Sequence, residues 1–238
     1  MKIFDIISNA LFPNKCICCG EIIGREDFLC DYCYEMIEYV DFSKVCKRCG
    51  LNKKECQCKN RVFHFSGSIA PFENKEVARQ SMYRFKFGRA IGGSKFFAFE
   101  MAKAVKTVYN DIEFDGIAFV PMHFVKRLKR GFNQSEVLAR ELSKILGIRI
   151  LEDLLSSKYS SKIQHDLTFK ERFSNIKGRY KFNYNVTGKT VLLVDDIKTT
   201  GATLDECAKQ LLLAGADRVY CVSGLITQSK KGKKTNGN

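Results

Sequence analysis

Lys189-Thr190-Val191-Leu192-Leu193-Val194-Asp195-Asp196-Ile197-Lys198-Thr199-Thr200-Gly201-Ala202-Thr203 changes character halfway along. Thr190 to Val194 is a nearly continuous apolar, β-rich run, the pattern of a strand covered on both faces in a parallel sheet. The second half is small and hydroxylated. Beyond it Leu204, Cys207, Ala208, Leu211 and Leu212 recur at helical spacing until Gly215. Val219 to Leu225 is largely apolar again. Strand, loop, helix and strand make a βαβ unit, which predicts a doubly wound α/β sheet.

Ligands of such sheets sit beyond the carboxyl ends of the strands, where residues 195–203 fall. Backbone amides from Thr200 through Ala202 to Thr203 open a helix whose dipole favours an anion. Thr199, Thr200 and Thr203 add hydroxyl donors, and Gly201 permits close approach. This is the chemistry of a monophosphate cradle. Asp195 and Asp196 would repel a bare phosphate, but they suit sugar hydroxyls or a Mg2+ ion. A phosphorylated ribose satisfies both halves of the loop. The plain alternative is a strand, turn and helix with no ligand.

The front of the chain carries a second signal. Nine of the eleven cysteines lie in residues 16–58, as Cys16-x-x-Cys19, Cys30-x-x-Cys33, Cys46-x-x-Cys49 and Cys56-x-Cys58, with Cys18 as an extra. Two knuckles of this kind complete the tetrahedron that zinc prefers, so four imply two structural zinc sites. Gly20 and Gly50 follow second cysteines, where a knuckle needs an unusual backbone angle. Some 60 residues without a long apolar pattern need that metal to fold. Pairing by neighbours (16/19 with 30/33, 46/49 with 56/58) is simplest, though interleaving is open. The short Cys56-x-Cys58 spacing leaves the count at one or two. Disulfides, a redox pair and an iron–sulfur cluster are the competing readings. Phe28, Tyr32, Tyr34, Tyr39 and Phe42 read as packing for a small core rather than as base-stacking rings. Metal removal is expected to unfold this module and leave the phosphate loop intact.

Hydrophobic residues make up 45% of the 238 and charged residues 28%, which supports a globular core and excludes wholesale disorder. No apolar run approaches the roughly 18 residues of a membrane span. Residues 1–12 read as an amphipathic docking helix ended by Pro13, not a signal peptide, and the chain reads as cytoplasmic. Net charge is +14. Residues 1–60 hold nine basic and nine acidic side chains, which leaves 31 and 17 in residues 61–238. Phosphates, nucleotides or nucleic acid are the natural partners of that excess, against the simpler reading of a solvated surface with a basic tail.

The run from Val191 to Thr203 resembles the 5-phosphoribosyl-1-pyrophosphate (PRPP) motif of type I phosphoribosyltransferases. Further segments narrow the likeness: Phe119-Val120-Pro121-Met122-His123, then Arg127-Leu128-Lys129-Arg130-Gly131-Phe132-Asn133-Gln134, then Gln164, Leu167, Arg172 and Asn175, with Ser81 to Gly88 upstream. With the cysteine knuckles in front, this order is similar to the ComF family of bacterial competence proteins, over about residues 12–226.

The resemblance implies a type I phosphoribosyltransferase-like parallel sheet flanked by helices, with an N-terminal cysteine-rich zinc ribbon module. Its divisions are a helix and double ribbon over 1–60, the α/β domain over 61–228 and a disordered basic tail over 229–238. It implies that Asp195 and Asp196 contact ribose hydroxyls or metal and that Thr199 to Thr203 hold the 5-phosphate. Lys198, at a variable position of the motif, counts with that loop. Pro121, Met122 and His123 would form the pyrophosphate loop, His123 as a hydrogen-bonding residue more than a general base. Arg127, Lys129 and Arg130 would neutralise pyrophosphate or a DNA backbone, Arg172 would sit in a mobile flap, and Lys86 would join the basic set. Mg2+ would accompany PRPP. Single-stranded DNA and a competence helicase or other protein are the implied partners. Three functions follow: a PRPP-binding accessory protein for single-stranded DNA in competence, an active salvage phosphoribosyltransferase that displaces pyrophosphate from ribose C1, or a PRPP-sensing regulator.

Overall fold

The computed structural model describes residues 13–56, 58–87, 91–152, 155–157, 180–182 and 186–228. The docking helix expected over 1–12, Arg172 with its flap, and the tail 229–238 lie outside the described residues.

In chain order come helix α1 (Asp31–Met36), a 3-10 turn (Lys53–Glu55), strands β1 (Gly67–Ile69) and β2 (Phe72–Glu73), and helices α2 (Glu76–Phe87) and α3 (Ile91–Val108). Strand β3 (Gly116–Phe119), helices α4 (Phe124–Arg130) and α5 (Gln134–Leu146) and strands β4 (Leu155–Ser157) and β5 (Tyr180–Phe182) follow. The chain then forms β6 (Thr190–Lys198), α6 (Ala202–Leu213) and β7 (Arg218–Ile226). The main sheet is parallel throughout, in the order β1–β7–β6–β3, with β2 continuing beside β7. β4 and β5 pair antiparallel as a separate ribbon.

Both faces of the sheet are buried, which is why β6 and β7 read as unbroken apolar runs. Ile117, Leu192 and Val222 point to one face, where α2, α3 and α5 supply Met82, Phe97, Met101, Leu138 and Leu142. Ala118, Leu193 and Cys221 point to the other, where α6 supplies Leu204, Cys207, Ala208 and Leu211. Each fully buried Leu, Met or Phe contributes about 1.5–3 kcal/mol of transfer free energy. The strand read from the sequence as Thr190–Val194 runs on to Lys198, because Ile197 and Lys198 stay in register with Leu225 and Ile226.

The cysteine knuckles divide between the two faces. Cys16, Ile17, Cys30 and Cys33 belong to the core beneath α2 and α3, whereas Cys49, Leu51, Phe63 and Phe65 belong to the core beneath α6. Phe28 rests on Phe96 and Tyr39 on Phe72, with ring centroids 5.8 and 4.8 Å apart, so these rings pack as expected. Tyr32 and Tyr34, expected in the same packing, are instead exposed, because the short helix α1 turns them outward. No helix among the described residues is long and apolar enough to cross a membrane.

Candidate functional site

The register of the sheet sets the site. Gly116 to Phe119 pair with Val191 to Val194, so β3 and β6 run out side by side. The amide of Val120 donates to the carbonyl of Val194 at 2.9 Å, and Asn133 Nδ2 donates to the carbonyl of Val120 at 3.0 Å. The turn Pro121–His123 therefore leaves the sheet beside Asp195 and Asp196. All three of its residues are half-buried.

Asp195 is buried. Its Oδ1 accepts from Ser135 Oγ and from the amide of Asp196, each at 2.9 Å. Burial, and after it the neighbouring charge of Asp196, push the Asp195 carboxyl up to about 7. Asp196 is half-buried, accepts from the amide of Ile197 at 2.5 Å and pairs with Lys86 Nζ at 2.6 Å. The last turn of α2 thus delivers a cation to the carboxylates. That ion pair offsets the repulsion that two bare acids would exert on a phosphate.

The turn that follows begins α6. Gly201 is its N-cap at φ +75°, a left-handed conformation that a side chain rarely adopts. The amide of Ala202 donates to Thr200 Oγ1 at 3.2 Å, and the amide of Asp205 donates back to the carbonyl of Gly201 at 2.9 Å. The first four amides of a helix lack an i−4 partner, so this turn presents donors where β6 ends.

The basic residues separate. His123 Nδ1 accepts from the amide of Val125 at 3.3 Å and caps α4. Arg127 sits 3.6 Å from Glu136, and Lys129 is exposed. Arg130 donates to Gln134 Oε1 at 3.2 Å and lies over the ring of Phe87 at 4.9 Å. Lys198 departs from the position that the motif gave it. Its side chain is 3% exposed, and its ammonium donates to the carbonyl of Cys49 and lies 5.5 Å over the ring of Phe65. The strand pleat turns it under the second cysteine cluster, away from the cradle.

Sequence reasoning missed four residues. Ser135 holds Asp195. Arg61 Nη1 donates to the carbonyl of Thr200 at 2.9 Å, and its guanidinium lies 3.9 Å from Asp205. The amide of His64 donates to Asp205 Oδ1 at 2.6 Å, and His64 Nδ1 lies 3.3 Å from Asp205 Oδ2. An acid in the first turn of α6 was the one local sign of these contacts.

The cysteines gather into two compact sets. The sulfurs of Cys16, Cys19, Cys30 and Cys33 lie within 4.8 Å of one another, as do those of Cys46, Cys49, Cys56 and Cys58. The Cys19–Cys30, Cys49–Cys56 and Cys46–Cys58 separations are 3.7, 3.7 and 3.9 Å. A tetrahedron with Zn–S bonds of about 2.3 Å has edges of about 3.8 Å, so both sets fit zinc. Pairing is by neighbours, and the short Cys56-x-Cys58 spacing closes the second set as well as the longer spacing closes the first. Four thiolates leave no open position, which makes these structural centres. Cys18 stays outside them, with its thiol 3.8 Å from Gln80 Oε1.

Residues 7–66 match the double zinc ribbon domain, and residues 119–236 match the phosphoribosyl transferase domain. The chain is 27% identical to the DNA utilization protein YhgH of Escherichia coli O6:H1 over 213 residues, which span 87% of this chain and 88% of that protein. It is 25% identical to competence protein F of Haemophilus influenzae over 220 residues, spanning 87% and 95%. It is 28% identical to competence protein ComFC of Bacillus subtilis over 140 residues, spanning 59% and 55%.

Proposed function

We propose that this chain, which matches a double zinc ribbon and a phosphoribosyl transferase domain and is similar to competence protein F and ComFC, acts as a ComF-like protein that binds PRPP or a related phosphoribosyl ligand and acts on single-stranded DNA. One observation carries the ligand reading. Two carboxylates, one buried and one paired with Lys86, stand directly before a helix-opening turn of backbone amides and threonine hydroxyls at the end of β6. The turn 200–203 takes the 5-phosphate, Asp195 and Asp196 accept from the ribose hydroxyls, and the half-buried turn 121–123 takes the pyrophosphate. Mg2+ would enter with the pyrophosphate, and the two carboxylates are oxygen donors of the kind it takes. The zinc ions would brace the ribbons and take no part in chemistry.

The nucleic-acid reading rests on charge and on two rings. The basic excess lies in residues 61–238. Tyr83 and Phe87, in the last turns of α2, are 62% and 54% exposed, with ring centroids 4.7 Å apart. Arg130 covers Phe87, and Lys86 of the same helix touches Asp196. Exposed rings beside guanidinium groups stack unpaired bases, at about 1–3 kcal/mol per base. Lys86 lies between the two rings in the sequence and pairs with Asp196, so the helix that carries the rings also reaches the carboxylates.

Calorimetry with PRPP, with pyrophosphate and with a short oligonucleotide, in Mg2+ and at two salt concentrations, tests both halves. PRPP is expected to bind one site and the oligonucleotide to bind more weakly at higher salt. Absence of PRPP binding would remove the ligand reading. Oligonucleotide affinity unchanged when Tyr83 and Phe87 are both replaced by alanine would remove the stacking surface.

A further inference from the structure

The turn between β6 and α6 is held at three points, and all three lead to residues 49–64. At its start Lys198 donates to the carbonyl of Cys49, a ligand of the second zinc set. In its middle Arg61 donates to the carbonyl of Thr200. At its end the amide of His64 donates to Asp205, in the first turn of α6. Arg61 and Lys198 are steadied by the same pair of rings: the guanidinium lies 4.1 Å over Phe63, and the ammonium lies over Phe65. The fit under the turn is close, since a Cβ added to Gly201 would stand 2.9 Å from Lys198 Cε. The strand behind is tied to the same ribbon, the amide of Asn52 donating to Gln228 Oε1 at 3.0 Å.

We propose that Arg61, His64 and Lys198 are positioning residues that make phosphoribosyl binding depend on metal at the second cysteine set. A site built from four cysteines keeps the backbone fold of its knuckles through its metal. Without it the carbonyl of Cys49 leaves its place, and the buried ammonium of Lys198 loses its acceptor in apolar surroundings, which is costly. The cheapest relief is to turn Lys198 outward, and that movement carries Thr199 to Gly201 with it. Arg61 and His64 sit a few residues past Cys58 on the same ribbon and let go of Thr200 and Asp205 at the same time. This runs against the sequence-based expectation that the loop survives metal removal. Linkage also works in reverse: a phosphoribosyl ligand that fixes the turn holds the second metal more tightly by the same factor.

The coupling to ligand rests on the reading of the turn as a phosphate site, so the test has one arm with ligand and one without. In the first, zinc release from the full chain to a chromogenic chelator is followed with and without PRPP. PRPP is expected to slow the release of one of the two ions about tenfold. Arg61→Ala, with both ions still bound, is expected to bind PRPP about tenfold more weakly and to lose this protection, and Arg61→Lys to keep most of both. PRPP that binds the unaltered chain without slowing release overturns the proposal. In the second arm, hydrogen exchange is followed in ligand-free protein as metal is withdrawn. Exchange at 199–205 is expected to rise before exchange at 116–119, inside β3. Simultaneous or reversed onset overturns the proposal whether or not PRPP binds, while failure of PRPP to bind speaks against the phosphate site alone.

Discussion

Asp195 is where burial and function pull in opposite directions. The folded chain holds its proton up to about pH 7, whereas an unfolded chain releases it near the ordinary value of about 4. Between those values the folded state binds more protons, so stability falls as pH rises through this window and levels off above it. Asp195→Asn keeps an acceptor for Ser135 and removes the penalty. Its melting temperature should match the parent near pH 4 and exceed it by several degrees at pH 8. Parallel melting curves across that range would show that Asp195 is not strained by burial. Asp196 behaves differently because Lys86 answers its charge. Asp196→Asn should weaken PRPP binding by about tenfold or more, the worth of a charge-assisted contact, with little change in melting. Lys86→Ala should weaken it as well, since it leaves Asp196 facing the incoming phosphate. If binding is unaltered in both, the carboxylates do not touch the ligand. The pair Asp195-Asp196 was legible in the sequence because strand, acids and hydroxyls are contiguous. Lys198 misled for the same reason: adjacency places a residue in a motif, but only the pleat of β6 decides which way its side chain points.

At the scale of elements, local pattern sufficed wherever a signal repeats along the chain. The apolar run of β6, the helical spacing of α6 and the cysteine spacings each predicted what forms. They could not show that β6 continues to Lys198, since that extension depends on pairing with Leu225 and Ile226 of β7. The knuckles offer a sharp test. Gly20 and Gly50 occupy the same place in their ribbons, at φ +89° and +68°. A Cβ on Gly20 would meet the end of the flexible Arg84 side chain at 2.9 Å, but one on Gly50 would stand 2.5 Å from the backbone carbonyl of Ser68, in the outer strand β1. Both changes strain the backbone by about 1–2 kcal/mol. Gly50→Ala should therefore lower the melting temperature clearly more than Gly20→Ala. Equal losses would mean that the second ribbon does not press on the sheet as described.

For the molecule as a whole, the sequence divides the chain into a cysteine-rich front and an α/β body, and the fold joins them. The first ribbon completes the core under α2 and α3, and the second completes the core under α6. The contact of Arg61 with Thr200 spans 139 residues of sequence, too far for any local pattern to reveal. Exposure was equally hidden. Tyr83, Phe85 and Phe87 alternate in the sequence as equals, yet Phe85 is buried against Phe132 while the other two face solvent. The charge excess was legible from composition, and it makes a prediction for the whole surface. Affinity for a single-stranded oligonucleotide should fall by about tenfold or more between 50 and 200 mM salt. Binding that is indifferent to salt would mean that the basic surface does not meet the phosphates.

The central claim is that the turn at the end of β6 grips a phosphorylated ribose. Titration of the isotope-labelled, zinc-loaded chain with ribose 5-phosphate, followed through its backbone amide resonances, tests that claim most directly. The amides of Thr200, Gly201, Ala202 and Thr203 should shift together and saturate, with Asp196 moving alongside. Resonances of these residues that stay fixed at saturating ligand, or shifts confined to the ribbons, would contradict it.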